Sequence, residues 1–377
     1  MDFIPYGKQF IDNEDIQTVV NTLQSDFLTT GPKIKEFEDA IADYCGVKYC
    51  VAVCNGTAAL HLSSLVLLSK NDKVLTTPNS FLATSNAILY AKAKPIFIDI
   101  AADGNIDLDL CEQALQKDPT IKALYGVSFS GNMLNQQKLK HLKDTYHIKI
   151  LEDNAHTIGA VYDKIKAGSC KNSDCSIFSF HPVKHLTTGE GGIITTNSKE
   201  IYEKLLCLRA HGMIKTADMK PWEYEMQDLG FNYRITDIQC ALGLSQLKKL
   251  NNFIEKRYQI AKKYDNAFTD TIIKPLYTFN NGKSSYHLYV VQVDFTKLKL
   301  SKEELFIKMK EKNIGLQLHY IPINKQPFYK KLGYGDEKTP VMDRYYEECF
   351  SLPMYYSLSN AEQEYVIETL FEILDNE

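Results

Sequence analysis

A single lysine in a glycine-rich loop is the residue of this chain best suited to covalent chemistry. Lys184 lies in the segment Ser-Phe-His-Pro-Val-Lys-His-Leu-Thr-Thr-Gly-Glu-Gly-Gly, residues 179–192. Because helices disfavour so much glycine, this segment predicts a loop between two strands, at residues 175–180 and 193–196. Loops between strands present side chains to ligands.

An acidic residue follows another predicted strand upstream of this loop. Residues 148–151 form an apolar run, and Glu152 and Asp153 come directly after it. A loop lysine downstream of a strand-end carboxylate is what pyridoxal phosphate chemistry requires. The lysine forms a Schiff base with the cofactor, and the carboxylate keeps the pyridine nitrogen protonated, so that the ring accepts electrons. The order and spacing therefore predict Lys184 and Asp153 as catalytic residues and pyridoxal 5'-phosphate as the cofactor.

Each of these residues also has an ordinary structural interpretation. Lys184 alone could be a solvated loop lysine, and Asp153 a capping or salt-bridged carboxylate. A buried anion at Asp153 needs a cationic partner, however, and a protonated pyridine nitrogen supplies one. His156 is either a structural histidine or a hydrogen-bond partner near the ring oxygen of the cofactor.

Small residues mark a possible phosphate site where a predicted strand turns into a helix. Gly56, Thr57 and Ala58 offer backbone N–H groups and a hydroxyl at a helix N-terminus. An ordinary cap by Asn55 or Thr57 explains the same residues without a ligand. The phosphate of a cofactor bound at Lys184 favours the first interpretation. No Gly-x-Gly-x-x-Gly follows an early strand, which disfavours a dinucleotide cofactor.

An aromatic residue follows the sequence Pro-Asn-Ser. Phe81 is expected either to pack in the core or to stack against the pyridine ring.

Short apolar runs alternate with helical patterns in the first half of the chain. Strands are expected at residues 49–54, 73–76, 95–98, 123–127 and 148–151, and helices at residues 57–68, 81–90, 108–116 and 137–146. This alternation predicts an α/β fold, with a mixed, mostly parallel sheet and flanking helices. Ligands in such folds bind beyond the carboxyl ends of the strands, where Asp153 falls.

The pattern changes after a long predicted helix at residues 237–268. Strands are expected at residues 286–295 and 315–320, and helices at residues 302–312 and 361–374. We therefore expect a large domain at residues 1–254, with an N-terminal helical segment, and a small C-terminal α+β domain at residues 255–377.

Bulk composition disfavours several classes of protein. The 377 residues are 44% hydrophobic and 24% charged, with a net charge of −4. No long basic run offsets this charge, so neither a nucleic acid nor a membrane surface is an expected partner. The start of the chain lacks the pattern of a signal peptide, which makes the cytoplasm the expected location. The nine cysteines contain no Cys-x-x-Cys pair, so we expect reduced thiols and no metal site.

Several motifs taken together resemble one known family over nearly the whole chain. They are Thr-Thr-Gly-Pro at residues 29–32, Gly-Thr-Ala-Ala-Leu at 56–60, Phe-x-Ala-Thr at 81–84, Glu-Asp-Asn-Ala-His at 152–156, the lysine loop, Gly-Phe-Asn-Tyr-Arg at 230–234 and His-Tyr-x-Pro at 319–322. The chain resembles the DegT/StrS family of nucleotide-sugar aminotransferases. This resemblance implies a fold-type I, aspartate aminotransferase-like fold and a homodimer with shared active sites.

The resemblance also implies a role for each matched position. Lys184 is the Schiff-base lysine, and Asp153 pairs with the pyridine nitrogen. The other cofactor-binding residues are Gly56, Thr57, Ala58, Phe81, His156, Ser179 and, from the neighbouring subunit, Asn232. The expected substrate-binding residues are Tyr6, Thr30, His185, Arg234, His319 and Tyr320.

The wording of the lysine loop is most similar to that of enzymes that aminate C4 of a UDP-linked 4-keto-6-deoxy-2-acetamido sugar in pseudaminic acid biosynthesis. L-Glutamate is the expected amino donor. A D-configured sugar, as in bacillosamine-type pathways, is an alternative substrate. Two less favoured alternatives are a sugar dehydratase, which has His in place of the lysine in some relatives, and a noncatalytic regulator. Lys184 and the lack of a DNA-binding extension disfavour both.

Overall fold

The computed structural model describes residues 1–276 and 281–375 of the chain. Its helices, in chain order, are α1 (Asn13–Leu23), α2 (Pro32–Cys45), α3 (Gly56–Leu67), α4 (Ala83–Tyr90), α5 (Leu108–Lys117), α6 (Gln136–Tyr146), α7 (Lys199–Arg209), α8 (Asp237–Phe268), α9 (Lys302–Glu311), α10 (Pro327–Lys331), α11 (Pro340–Glu348) and α12 (Asn360–Asp375).

The strands of the central sheet are β1 (Tyr49–Val53), β2 (Lys73–Thr76), β3 (Lys94–Phe97), β4 (Ile121–Val127), β5 (Lys149–Asp153), β8 (Cys175–Ser179) and β9 (Gly192–Thr196). The shorter strands outside it are β6 (Val161–Tyr162), β7 (Ile165–Lys166), β10 (Met213–Ile214), β11 (Glu225–Met226), β12 (Lys274–Pro275), β13 (Gly282–Lys283), β14 (Tyr289–Gln292) and β15 (Cys349–Leu352).

The central sheet has seven strands in the order β1-β9-β8-β5-β4-β2-β3. The pairs from β3 through β2, β4 and β5 to β8 are parallel, and β9 pairs antiparallel with both β8 and β1. This arrangement is the mixed, mostly parallel sheet that the sequence predicts. Since the parallel strands share one direction, their carboxyl ends meet at one edge of the sheet.

Central position explains the burial of β5. This strand lies between β4 and β8, and its residues from Ile150 to Asp153 are all buried. Because a central parallel strand is covered on both faces, even the acidic Glu152 is buried. Asp153 is its last residue and pairs in register with Val127, the last residue of β4.

Helix α8 spans the boundary that the sequence analysis places between the two domains. Its residues Leu250 and Ile254 pack with the helices and strands of the large sheet. Ile260 and Tyr264 belong instead to a second core, which is built mainly from β14, β15, α9 and α12 and also contains Ile4 from the N-terminus. The division at residues 254 and 255 remains a prediction.

Two predictions for the C-terminal part need correction. The strand expected at residues 315–320 is wrong: Gln317 forms one isolated bridge to Ser351, and the chain then leaves the sheet. The strand expected at residues 286–295 is shorter, since Tyr286 has a positive φ of 49° and Phe295 begins a short 3-10 helix. In the second segment only residues 289–292 form a continuous ladder, which pairs with β15.

Among the helices of residues 1–276 and 281–375, none is long and apolar enough to cross a membrane.

Candidate active site

A cavity of about 630 Å³ opens at the carboxyl edge of the central sheet. The ends of three adjacent parallel strands reach it, through Val127 of β4, Asp153 of β5 and Ser179 of β8. The predicted site residues that line it are Tyr6, Gly56, Thr57, Phe81, Asp153, His156, Ser179, Lys184, His319 and Tyr320. The fold therefore brings together predicted residues from six separated parts of the sequence.

Lys184 presents its amine to this cavity from the loop between β8 and β9. Its Nζ lies 3.4 Å from Nε2 of His287. Burial lowers the pKa of Lys184 to about 8, although the negative charge of Asp153 opposes this shift. An amine with a pKa near neutrality exists partly as the free base at physiological pH, which a nucleophile or a proton carrier requires.

Both carboxylate oxygens of Asp153 accept hydrogen bonds. Oδ2 accepts from the Thr84 hydroxyl at 2.6 Å, and Oδ1 accepts from the backbone N–H of Ala155 at 3.1 Å. Burial raises the pKa of Asp153, while the bonds from Thr84 and Ala155 and the charge of Lys184 oppose that rise. No lysine or arginine in the described part of the chain forms an ion pair with Asp153. A positively charged group of a ligand would therefore meet a buried anion held in a fixed position.

The hydrogen bonds of His156 fix its tautomer. Nδ1 accepts the backbone N–H of Ser130 at 3.3 Å, so the ring proton lies on Nε2. That Nε2 lies 3.2 Å from the hydroxyl of Tyr320, at the wall of the cavity. Burial, together with the nearby charge of Lys184, lowers the pKa of His156 well below its ordinary value. His156 is therefore a neutral hydrogen-bond donor.

Gly56, Thr57 and Ser179 lie together at one end of the cavity, where α3 begins. A Cβ at Gly56 would lie 3.0 Å from Cβ of Ser179, so glycine permits this close approach. Asn55 caps the helix by accepting the N–H of Ala58 at 2.8 Å. The N-terminal end of α3 thus has both features that the sequence suggests: a side-chain cap, and a helix N-terminus open to the cavity. A helix N-terminus open to the cavity favours a bound anion.

Close packing explains the glycine pair at the end of the lysine loop. A Cβ at Gly192 would lie 2.4 Å from the carbonyl oxygen of Asn55, and a Cβ at Gly191 would lie 2.2 Å from the Thr188 hydroxyl. Glycine at position 192 thus lets β9 lie against the turn that begins α3, and glycine at position 191 leaves room for the Thr188 side chain.

Phe81 lies in the segment before α4, with 62% of its surface exposed. Its ring centroid is 6.4 Å from that of Tyr320. An exposed ring at the cavity wall is available to stack on a flat ligand, and the alternative interpretation of Phe81 as a core residue is wrong.

His319 and Tyr6 form another part of the cavity wall. Their ring centroids are 5.5 Å apart, and Nδ1 of His319 lies 2.8 Å from the Ser351 hydroxyl. Burial and the charge of Lys184 lower the pKa of His319 to about 3, so its ring is neutral.

Five predicted residues lie outside this lining, and their roles stay predictions. Ala58 is buried behind the start of α3, and Nε2 of His185 donates to the carbonyl oxygen of Ser285 at 2.9 Å. Thr30 and Asn232 are exposed, and Arg234 is half-buried on the segment before α8. Asn232 was expected to act from a neighbouring subunit, a role that a single chain leaves open.

Other polar residues line the cavity without a role assigned from the sequence, among them Thr84, His181, Glu190, His287 and Gln317. Thr84 lies in the motif of Phe81 and His181 in the loop of Lys184, so the sequence itself carries a signal for both. His287 is 103 residues from Lys184, and no local pattern marks it.

The chain matches one family model over most of its length. The model of the DegT/DnrJ/EryC1/StrS aminotransferase family covers residues 9–371. A curated relative from Campylobacter jejuni, the UDP-4-amino-4,6-dideoxy-N-acetyl-beta-L-altrosamine transaminase, is 40% identical over 374 residues, which is 99% of this chain and 98% of that protein.

Solved structures agree with this match. An aminotransferase of Helicobacter pylori involved in pseudaminic acid biosynthesis superposes with a TM-score of 0.94 at 30% identity, covering 100% of both chains. A sugar aminotransferase from Streptococcus pneumoniae, solved in its PLP form, has a TM-score of 0.90 at 30% identity and covers 99% of both chains. These similarities confirm the prediction of a fold-type I architecture.

Proposed function

Since this chain belongs to the DegT/DnrJ/EryC1/StrS aminotransferase family and is an aminotransferase, we propose that it uses pyridoxal phosphate to aminate C4 of a UDP-linked 4-keto-6-deoxy-2-acetamido sugar. L-Glutamate is the proposed amino donor. One observation carries the proposal: the near-neutral amine of Lys184 and the buried carboxylate of Asp153 line the same cavity.

The donor set of the cavity fits this cofactor. Lys184 offers an amine for its aldehyde carbon, and Asp153 offers an anion for a protonated ring nitrogen. Thr57 lies at the start of α3, where a phosphate is favoured, and Ser179 lies beside that start, at the end of β8. Phe81 offers an exposed aromatic face for the ring. Nε2 of His156 carries the ring proton and lies 3.2 Å from the Tyr320 hydroxyl; it would donate to a ring oxygen in place of that hydroxyl.

When bound, pyridoxal phosphate supplies a carbon that exchanges amines and a ring that accepts electrons. Nζ of Lys184, once free, takes a proton from the Cα of the amino donor and later delivers one to C4 of the sugar. The buried carboxylate of Asp153 would stabilise positive charge at the ring nitrogen, because burial leaves little water to compete with it. Tyr6, His319 and Tyr320 line the wall of the cavity that also contains Lys184.

The choice of sugar rests on the named relatives. The proteins from Campylobacter jejuni and Helicobacter pylori bear the name of a UDP-4-amino-4,6-dideoxy-N-acetyl-beta-L-altrosamine transaminase. A substrate of the same chemical class for this chain is the simplest extension of that similarity.

The proposed reaction is tested by incubating the purified protein with pyridoxal phosphate, glutamate and UDP-4-keto-6-deoxy sugars of both C5 configurations. Mass spectrometry and NMR identify the product. A 4-amino product from the L-configured ketone alone supports the proposal. Product from the D-configured ketone alone retains the aminotransferase and overturns the sugar assignment, and no product from either overturns the substrate class.

The enzyme is further proposed to act as a homodimer with shared active sites. Asn232 is exposed and lies outside the cavity of its own chain. Nearby segments expose large apolar side chains, with Trp222 at 74% and Leu229 at 75% exposure. Such side chains favour a protein contact. The cytoplasm stays the expected location, which cell fractionation tests.

A further inference from the structure

Two buried hydroxyl groups lead to the carboxylate of Asp153. Oγ1 of Thr84 lies 2.6 Å from Oδ2 of Asp153, and Oγ of Ser80 lies 2.7 Å from Oγ1 of Thr84. The three residues are only 3%, 1% and 6% exposed, in the order Ser80, Thr84, Asp153. Because 69 positions separate Thr84 from Asp153, only the tertiary fold creates this chain of contacts.

The chemistry of the groups fixes the direction of donation. An ionised carboxylate only accepts hydrogen bonds, so the single proton of the Thr84 hydroxyl points to Asp153. The Thr84 oxygen is then left as an acceptor toward Ser80, and Ser80 must donate. A hydroxyl that donates to a charged acceptor, and that accepts from a second hydroxyl, forms a stronger bond than an isolated one.

The segment that carries Ser80 is held from two sides. The side-chain amide of Asn79 donates to the carbonyl oxygen of Gly104 at 2.9 Å, and the carbonyl oxygen of Pro78 accepts from Ile323 N–H at 3.1 Å. Phe81, the next residue after Ser80, presents its ring to the cavity. One braced segment thus supplies the aromatic face and supports the carboxylate.

We propose that Thr84 is a positioning residue for Asp153, and that Ser80 sets the direction in which the Thr84 hydroxyl donates. The inference rests on the proposed function, because the carboxylate matters through the ring nitrogen of pyridoxal phosphate. Thr84 favours the charged carboxylate and fixes Oδ2, while Ala155 fixes Oδ1. The other carboxylate lone pairs remain free to meet the ring nitrogen.

Removal of the Thr84 hydroxyl removes a hydrogen bond from the carboxylate of Asp153, and the direction of its effect on the bound cofactor can be predicted. Without it, Asp153 stabilises a positively charged ring nitrogen less well. The Schiff-base nitrogen that Lys184 would form with the cofactor then has less positive charge near it, on the ring nitrogen. It therefore keeps its own proton to higher pH. The pH at which the bound cofactor changes its absorbance should therefore rise by roughly one unit.

The experiment compares purified holoenzymes of Thr84→Val, which keeps the side-chain shape, and Thr84→Ser, which keeps the hydroxyl. Absorbance of the bound cofactor is titrated with pH, and the rate of reaction with glutamate is measured in parallel. For Thr84→Val we expect the pH of the absorbance change to rise and the reaction with glutamate to be roughly tenfold slower. For Thr84→Ser we expect near wild-type values of both. Ser80→Ala should raise the pH of the absorbance change by less than Thr84→Val does.

Thr22→Val serves as the matched control, because Thr22 is a buried threonine of α1 whose hydroxyl donates to the Thr18 carbonyl. Its titration should equal that of the wild type. If wild-type protein binds no cofactor, the proposed function fails. If the wild type binds and titrates, but Thr84→Val titrates identically, the inference alone is overturned. A Thr84→Ser protein as altered as Thr84→Val, with an unchanged melting temperature, also overturns it.

Discussion

Nε2 of His287 lies 3.4 Å from Nζ of Lys184, although 103 positions separate the two residues in the chain. Burial and the charge of Lys184 hold the pKa of His287 well below its ordinary value, so the imidazole is neutral. A neutral imidazole can accept an N–H from a charged amine or donate to a free one. His287 is therefore placed to hold Lys184 in both of its protonation states.

His287→Phe keeps a flat ring and removes both nitrogens. We expect the reaction with glutamate to slow about tenfold, because Nζ loses a hydrogen-bond partner during proton transfer. Rapid-mixing absorbance measures the rate, and glutamate deuterated at Cα should show a larger isotope effect than with wild type. His141→Phe, a change at an exposed histidine of α6, is the control. An unaltered rate and isotope effect would show that His287 only fills space.

Lys184 makes stability depend on pH. Its pKa falls from 10.5 to about 8 on folding, so the folded chain binds fewer protons than the unfolded chain between these values. The contribution of Lys184 to the free energy of unfolding therefore becomes more favourable as pH rises from about 8 to 10.5. For cofactor-free protein, the melting temperature of wild type minus that of Lys184→Met should increase by a few degrees from about pH 8 to pH 10. Lys199→Met, at a side chain 73% exposed, is the control. If the melting-temperature difference from wild type changed equally with pH for both variants, the lowered pKa of Lys184 would be contradicted.

Asp153→Asn removes the negative charge and keeps the size of the side chain. We expect cofactor to remain bound and turnover to fall roughly 10²- to 10³-fold, because positive charge at the ring nitrogen is no longer stabilised. Steady-state assays and dialysis followed by absorbance measure the two effects.

The neighbouring carboxylate provides a control in the same strand. Glu152 points to the opposite face of β5, where it accepts from Gln136 and Ser173. Glu152→Gln should leave turnover within about twofold of the wild-type value, since burial already raises the pKa of this carboxyl. An equal loss in both variants would mean that the strand, and not the charge of Asp153, was affected.

Shared active sites predict complementation between two defective chains. Lys184→Ala alone should be inactive, and Asn232→Ala should bind cofactor about tenfold more weakly, through loss of a phosphate contact. Co-expressed, and assayed at a cofactor concentration that leaves Asn232→Ala largely empty, the two should recover about a quarter of wild-type activity, since half of randomly mixed dimers are heterodimers with one intact site.

The matched control pairs Lys184→Ala with Asp153→Asn. Both residues line the cavity of one chain, so no mixed dimer contains an intact site. Recovery in this control, or its lack in the Asn232 pair, would refute the sharing of sites through Asn232.

The sequence alone was sufficient for the α/β sheet and for the pair formed by Lys184 and Asp153. The reason is local: apolar runs define buried strands, glycines define the lysine loop, and parallel strands must end at one edge. The fold-type I architecture followed from the resemblance of the motifs. Local sequence failed at residues 315–320, where we expect a strand but only Gln317 finds a partner.

Tertiary structure alone decided which distant residues complete the site. His287 reaches Lys184, and Thr84 reaches Asp153, through contacts that no spacing in the chain encodes. The low pKa of Lys184 likewise comes from burial, which depends on how all the surrounding elements pack. Local sequence thus determined which groups are candidates for the chemistry, and packing between remote elements determined their protonation and orientation.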